Sequence, residues 1–291
     1  MAANPIKPLV VIVGPTASGK TGLAIDVARQ FGGEIICADS RTIYKGMNIG
    51  TAKPTAEERQ AVPHWGLDLV EPGEQFSAAD FKRYATEKIR EIRSRGRVPL
   101  LVGGSGLYID AVLFDYEFGA PSDARQRAKL DEMSIDQLQE YCTKNNIPLP
   151  ENENNKRYVI RAIEQKNINT KRRTTPIDDC IIVGITTNRD ILRARIKDRI
   201  EQIFDDGVVE EATLLGKKYG WESEAMTGNV YRIVRSYLQG SLSLAQSIEK
   251  NTTLDWRLAK RQLTWFRRNR FIHWVELSEA KNYLFAHLAN E

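Results

Sequence analysis

The stretch LVVIVGPTASGKT, residues 9–21, decides the fold. Its last eight residues fit the phosphate-binding loop pattern G-x-x-x-x-G-K-[ST]. An apolar run over residues 9–13 precedes the loop, as a buried strand does, and an amphipathic stretch over residues 22–31 follows it, as a helix does. Because a strand, a tight loop and a helix are the context that this motif requires, the sequence predicts a polyphosphate site. The predicted diphosphate ligands are Gly14, Pro15, Thr16, Ala17, Ser18, Gly19, Lys20 and Thr21.

The chemistry of this loop follows from its residue types. Glycines allow successive backbone N–H groups to turn toward a phosphate, and the N-terminus of the following helix adds positive potential. Lys20 supplies a mobile positive charge, and the Thr21 hydroxyl is the expected Mg²⁺ ligand. The loop alone leaves open which polyphosphate binds, and whether a phosphate is transferred or leaves.

Apolar runs recur along the chain at intervals typical of an α/β protein. They cover residues 9–13, 34–38, 99–102 and 180–186, with helical patterns between the first three. This alternation predicts a parallel sheet with helices on its faces. Ligands of such sheets bind beyond the carboxyl ends of the strands, where Gly14, Asp39 and Gly103 fall.

The segment 118–177 differs in character, being polar, helix-prone and poor in strand patterns. We therefore expect a small all-helical insertion domain over 118–177, within a catalytic core formed by 1–117 and 178–291. The end of that core is predicted to be helical, with a short strand near 271–275.

Composition narrows the class of protein only a little. The chain has 291 residues, a net charge of +4 and three cysteines, whose spacing matches no metal site. No apolar run approaches the roughly 20 residues that span a membrane. We expect a soluble, cytoplasmic monomer with free thiols and no membrane partner.

A helix predicted over residues 254–270 carries a basic face. At about 100° per residue, five cations share one arc, with few acids to neutralise them. They are Arg257, Lys260, Arg261, Arg267 and Arg268. A solvated helix face and a surface for a nucleic-acid backbone both explain such an arc.

Two further segments lie at predicted strand ends. Asp39 is placed for Mg²⁺ coordination, for proton abstraction or for capping a turn, and its position does not separate these roles. The run GGSG at residues 103–106 permits close backbone approach, and its Ser105 offers a hydroxyl, although a tight turn explains the run equally well. The loop at residues 44–54 has the composition of a substrate-contacting loop.

Taken together, several blocks of this sequence resemble those of bacterial-type tRNA dimethylallyltransferases. The blocks are GPTASGKT (14–21), ADSRTIYKGMNIGTAKP (38–54), PH (63–64), FSAADF (76–81), LVGGSGLY (101–108) and AKRQLTWFR (259–267). They span nearly the whole chain. The resemblance is to the bacterial type because no Cys and His cluster of the eukaryotic zinc finger follows the last block.

The resemblance implies a P-loop NTPase-like fold and transfer of a dimethylallyl group from dimethylallyl diphosphate to N6 of adenosine 37 in tRNA, with release of diphosphate. By this resemblance, Lys20, Thr16 and Mg²⁺ on Thr21 stabilise the leaving diphosphate, and Asp39 is the general base. The helical insertion and the basic helix would hold the anticodon stem-loop. The implied tRNA contacts are Asp39, Ser40, Arg41, Thr42, Ser105, Arg127, Arg157 and Arg161, joined on the basic helix by Arg257, Lys260 and Arg261.

The chain departs from the family pattern at four positions. Tyr158, Thr227 and Trp256 stand where members carry Arg, and Val230 stands where they carry Gly. We expect other cations, such as Arg157, Arg232 and Arg257, to take over the missing contacts.

Three other functions remain open on the sequence alone. They are an adenylate isopentenyltransferase acting on a free nucleotide, a P-loop small-molecule kinase, and a nucleic-acid-binding protein with a regulatory nucleotide site.

Overall fold

A computed structural model describes residues 6–119, 123–165 and 172–289. Within these residues lies a six-stranded, entirely parallel sheet of order β3-β2-β4-β1-β5-β6. The strands are β1 (Leu9–Val13), β2 (Gly33–Ala38), β3 (His64–Trp65), β4 (Val98–Gly103), β5 (Cys180–Thr186) and β6 (His273–Glu276). The predicted α/β class with a P-loop NTPase-like parallel sheet is confirmed.

Helices make up most of the remaining described chain. They are α1 (Lys20–Phe31), α2 (Ala56–Ala61), α3 (Ala78–Ser94), α4 (Gly106–Leu113), α5 (Ala124–Glu132), α6 (Ile135–Lys144), α7 (Lys156–Gln165), α8 (Arg189–Asp205), α9 (Val208–Tyr219), α10 (Asn229–Leu238), α11 (Leu244–Phe266) and α12 (Leu277–Ala289), with a 3₁₀ turn at Ala225–Thr227. No helix of the described residues is long and apolar enough to cross a membrane.

The central strands are apolar throughout because both of their faces are covered. All residues of β1 and β4 are buried. One face of β1, through Val10 and Ile12, packs with residues of α1 and α12. A second core joins α8, α9 and α10 with the segment after β2, and includes Ile43, Met47 and Ala259.

Strand register brings three strand ends to one level. Val13 at the end of β1 pairs with Gly103 at the end of β4, and Ala38 at the end of β2 pairs with the same Gly103. The loops that follow these strands therefore start side by side at the carboxyl edge of the sheet.

The bounds predicted for the basic helix were wrong at both ends. α11 begins ten residues earlier than predicted, at Leu244, because Ser243 and Gln246 form a capping box there. It ends at Phe266, so Arg267 is its C-cap and Arg268 lies beyond it. Neither residue belongs to the helical arc proposed from the sequence.

The chain divides into two compact units, Met1–Leu113 with Pro176–Glu291 and Phe114–Thr175. The second unit contains α5, α6 and α7, which surround a small core of Leu130, Leu138, Cys142, Val159, Ile160 and Ile163. The predicted insertion was 118–177, of which residues 120–122 and 166–171 lie outside the described part of the chain.

Candidate active site

The loop between β1 and α1 has the backbone of an anion cradle. Gly14 and Gly19 have φ values of 154° and 89°, and Ala17 has a φ of 61°, which is uncommon for a residue with a side chain. No side chain caps the N-terminus of α1. Its first N–H groups therefore point at the loop without a capping partner, which suits a bound phosphate.

Lys20 lies inside this cradle. Its Nζ donates to the Pro15 carbonyl at 2.6 Å and lies 3.5 Å from the Ser18 hydroxyl oxygen. The pKa of Lys20 is lowered to about 7, chiefly by burial and also by Arg199, while Asp39 acts in the opposite direction. Because a polyphosphate would reverse this shift, the site is electrostatically prepared for an anion.

Arg199 is a second cation at the loop and was missed by the sequence analysis. It comes from α8, and its Nη1 donates to the Thr16 hydroxyl at 2.7 Å. Buried apolar residues at 192, 196 and 200 orient α8 so that half-buried Arg199 faces the loop, whereas Arg193 and Arg195 are exposed. Nothing in the local sequence separates Arg199 from these exposed arginines.

Asp39 lies just past β2, at the same edge of the sheet as the loop, with β4 between the two strands. Its Oδ1 accepts the Arg41 N–H at 2.8 Å, and its carbonyl accepts the Thr42 hydroxyl at 3.4 Å. Asp39 therefore caps a turn, one of the three roles considered. This contact fixes the carboxylate and leaves Oδ2 available for a proton.

The turn after β4 supports the Asp39 segment. The Ser105 hydroxyl oxygen accepts the Ser40 N–H at 2.9 Å, and the Ser105 N–H donates to the Ala38 carbonyl at 3.2 Å. The close approach predicted for the run at residues 103–106 thus serves to join two strand-end loops.

Arg41 and Thr42 are both engaged in the fold. Arg41 donates to the Glu224 carbonyl at 3.0 Å and to the Thr227 hydroxyl at 3.3 Å. Thr42 is 6% exposed. Thr227, one of the four departures from the family pattern, is therefore in contact with an arginine from another part of the chain.

The loop at residues 44–54 is held by charged side chains. Lys53 is 7% exposed and donates to the Tyr44 carbonyl at 2.5 Å and to Asp68 at 2.6 Å. Glu211 of α9 accepts N–H groups of three successive residues, 48, 49 and 50, at 2.7–2.9 Å. These contacts fix the loop, and Lys53 stabilises the structure instead of facing a substrate.

Asp255 of α11 is a second carboxylate close to the site. It accepts the Asn229 side-chain amide at 2.9 Å. Burial raises its pKa, Asp39 acts in the same direction, and Arg199 and Arg261 oppose them.

The remaining cations predicted to contact tRNA lie in two places. On α11, Arg257, Lys260 and Arg261 are all exposed. In the unit of α5 to α7, Arg127 and Arg161 both bind Glu164, at 3.1 and 3.3 Å, and Arg157 is exposed. Within that unit the Glu164 contacts orient both guanidinium groups.

A metal ion here would depend on few protein ligands. The described residues contain no group of three or more His, Cys, Asp or Glu side chains able to hold one. Thr21 is exposed at the start of α1. A single hydroxyl beside a phosphate cradle fits Mg²⁺, which is usually held by substrate phosphates and water with one or two protein ligands.

Comparison with known proteins gives one consistent family. The family model described as IPP transferase matches residues 42–269. The tRNA dimethylallyltransferase of Desulforudis audaxviator is 42% identical over 94% of this chain and 93% of its own length. That of Anoxybacillus flavithermus is 38% identical over 93% of this chain and 91% of its own length. The crystal structure of the full-length tRNA isopentenylpyrophosphate transferase from Bacillus halodurans is 36% identical, covers 98% of this chain and 97% of its own, and superposes with a TM-score of 0.74.

Proposed function

Because the chain belongs to the IPP transferase family, we propose that it transfers a dimethylallyl group from dimethylallyl diphosphate to N6 of adenosine 37 in tRNA, releasing diphosphate. The observation that carries this assignment is the presence of two sites at the carboxyl edge of the sheet, at the ends of β1 and β2, which lie on either side of β4. A cationic cradle containing Lys20 and Arg199 follows β1, and a fixed carboxylate, Asp39, follows β2. One site suits a leaving diphosphate and the other suits a nucleophile that must lose a proton.

The reaction divides between these two sites. The bond between C1 of the donor and the diphosphate oxygen breaks, and a bond from C1 to N6 of the adenine forms. Lys20 and Arg199 stabilise the negative charge that develops on the departing diphosphate. The proton lost by N6 passes to the Asp39 carboxylate.

Mg²⁺ would be held by the Thr21 hydroxyl together with diphosphate oxygens and water. It would supply further stabilisation of charge on the leaving group. The protein would add its own cations, since Arg199 contacts the same loop through its hydrogen bond to the Thr16 hydroxyl at 2.7 Å.

The acceptor must present an unstacked base. Adenosine 37 is stacked within the anticodon loop, so it must be flipped out, at a cost of a few kcal/mol. Contacts to the RNA backbone would offset that cost. Exposed Arg257, Lys260 and Arg261 on α11 are placed for such contacts, which favours RNA over a free mononucleotide as acceptor.

An acceptor comparison tests this function. The protein is incubated with Mg²⁺, radiolabelled dimethylallyl diphosphate and unmodified tRNA carrying adenosine at positions 36–38, with AMP as acceptor in a parallel reaction. We expect label in the tRNA alone. Label in AMP alone would assign an adenylate isopentenyltransferase, and label in neither would direct attention to ATP and a kinase activity.

A further inference from the structure

Gln262 of α11 connects the loop after β1 with the turn after β4. Its Oε1 accepts the Thr16 N–H at 2.8 Å, and its Nε2 donates to the Gly104 carbonyl at 3.2 Å. Both ends of one amide are thus used, each on a different strand-end loop. The proposed reaction depends on the positions of these two loops.

The glycine at 104 is required by this contact. A Cβ added at Gly104 would collide with Nε2 of Gln262. Two residues further on, a Cβ at Gly106 would collide with the Trp265 ring, whose Nε1 donates to Asp110 at 2.7 Å. The glycines of the 103–106 run therefore let α11 approach the turn closely.

The Gln262 bridge continues to the proposed base. Gly104 precedes Ser105, whose hydroxyl oxygen accepts the Ser40 N–H at 2.9 Å. Ser40 follows Asp39 directly. A short series of contacts thus runs from Thr16, where Arg199 also binds, through Gln262 and the β4 turn to the Asp39 segment.

We propose that Gln262 is a positioning residue that sets the distance between the leaving-group site and the acceptor site. This inference rests on the proposed function, since it assigns the donor to the Thr16 side and the acceptor to the Asp39 side. Displacement at C1 requires the nucleophile in line with the leaving group, and a misplacement of about 1 Å costs about 100-fold in rate. Gln262 touches neither reacting atom, so it acts through the two loops that it joins.

The inference predicts a loss of turnover without a loss of substrate binding. Gln262→Met keeps the length of the side chain and removes both hydrogen bonds, while Gln262→Asn keeps the amide but is too short to reach both loops. We expect kcat for tRNA prenylation to fall about 10- to 100-fold in both variants. The KM for dimethylallyl diphosphate and the Kd for inorganic diphosphate should change by less than about threefold, because the cations at the cradle remain.

A variant at Gly104 disturbs the same bridge from the other side. Gly104→Ala leaves Gln262 in place and pushes its amide away, so we expect the same loss of kcat. Gly73→Ala is the matched control, since a Cβ at Gly73 meets nothing within 4 Å. Gln202→Met is the control for loss of a glutamine hydrogen bond, because the exposed Gln202 side chain donates to Asp206 at the end of its own helix, at 2.7 Å.

The experiment measures kcat, KM, diphosphate Kd and melting temperature for all five variants. Reduced kcat with unchanged Kd in the Gln262 and Gly104 variants, and unchanged kcat in both controls, supports the inference. A wild-type kcat in either Gln262→Met or Gln262→Asn overturns it. A loss of kcat that only follows the melting temperature overturns it as well. A wild-type protein that prenylates nothing refutes the proposed function itself, whereas an active wild type with an active Gln262→Met variant refutes this inference alone.

Discussion

Glu211 should be one of the residues on which stability depends most strongly. It accepts hydrogen bonds from the N–H groups of residues 48, 49 and 50 and from the Tyr231 hydroxyl, the last at 2.9 Å. Tyr231 is 1% exposed, so its hydroxyl has no access to replacement water. Each hydrogen bond to a charged acceptor contributes about 1.5–3 kcal/mol.

The substitution Glu211→Gln replaces one acceptor oxygen by an NH₂ group that faces backbone donors. Since the remaining oxygen keeps part of the contacts and the site is half-exposed, we expect a loss of about 2–4 kcal/mol in the free energy of unfolding. For a unit of this size, that loss lowers the melting temperature by about 5–10 °C. The assay is thermal and urea unfolding followed by circular dichroism.

Glu210→Gln is the matched control, because Glu210 is exposed on the same turn of α9. It should unfold within about 0.5 kcal/mol of the wild type. In a double-mutant cycle, Tyr231→Phe should cost less in the Glu211→Gln background than in the wild type, since the two residues share one hydrogen bond. Equal stability of Glu211→Gln and Glu210→Gln would refute the reasoning.

Three more outcomes follow from the site. Arg199→Ala should lower kcat/KM for prenyl transfer on the order of 100-fold, since it removes a cation that stabilises the leaving group. Arg195→Ala, at an exposed arginine of the same helix, should leave kcat/KM unchanged. Equal effects of the two substitutions would contradict the role of Arg199. Burial raises the pKa of Asp255, so its contribution to stability is present at low pH and is lost as pH rises through that pKa. Melting curves should show Asp255→Asn gaining stability relative to the wild type as pH rises above about 4, and a constant difference would contradict this. Lys53→Met should cost about 2 kcal/mol in urea unfolding, because it removes the contacts of a buried ammonium to Asp68 and to the Tyr44 carbonyl while Asp68 keeps its pair with Arg59. No change in unfolding would show that Lys53 does not stabilise the loop.

The central strands and the phosphate loop were predictable because their signals are local. An apolar run buried on both faces and a motif with fixed glycines need no tertiary information, and β1 has the bounds that the sequence predicted. The two-residue strand β3 was missed, since His64 and Trp65 carry no periodicity.

The partners of the loops could not be predicted because they come from distant helices. Arg199 and Glu211 lie on helices with many other charges, and only the burial of neighbouring apolar residues selects which of those charges turns inward. The same holds for Gln262, which lies among exposed cations on α11 yet faces Thr16 across 246 positions in sequence. Glycines 104 and 106 were visible in the sequence, but the side chains that require them were not.

The end of α11 shows a different limit. Ser243 and Gln246 form a capping box that a start signal in the sequence could have revealed. The helix was instead placed by its basic arc, which begins later than the helix itself. Charge pattern therefore located the face of α11 better than its bounds.

The most direct test of the central claim is the single-turnover rate of prenyl transfer by Asp39→Asn, with saturating dimethylallyl diphosphate and tRNA. Asparagine keeps the oxygen that accepts the Arg41 N–H, so the turn at the end of β2 should persist while the proton acceptor is lost. We predict that the rate falls on the order of 100- to 10,000-fold with an unchanged Kd for tRNA. Transfer at the wild-type rate would contradict the assignment of Asp39 as the base and, with it, the division of the reaction between the two strand ends.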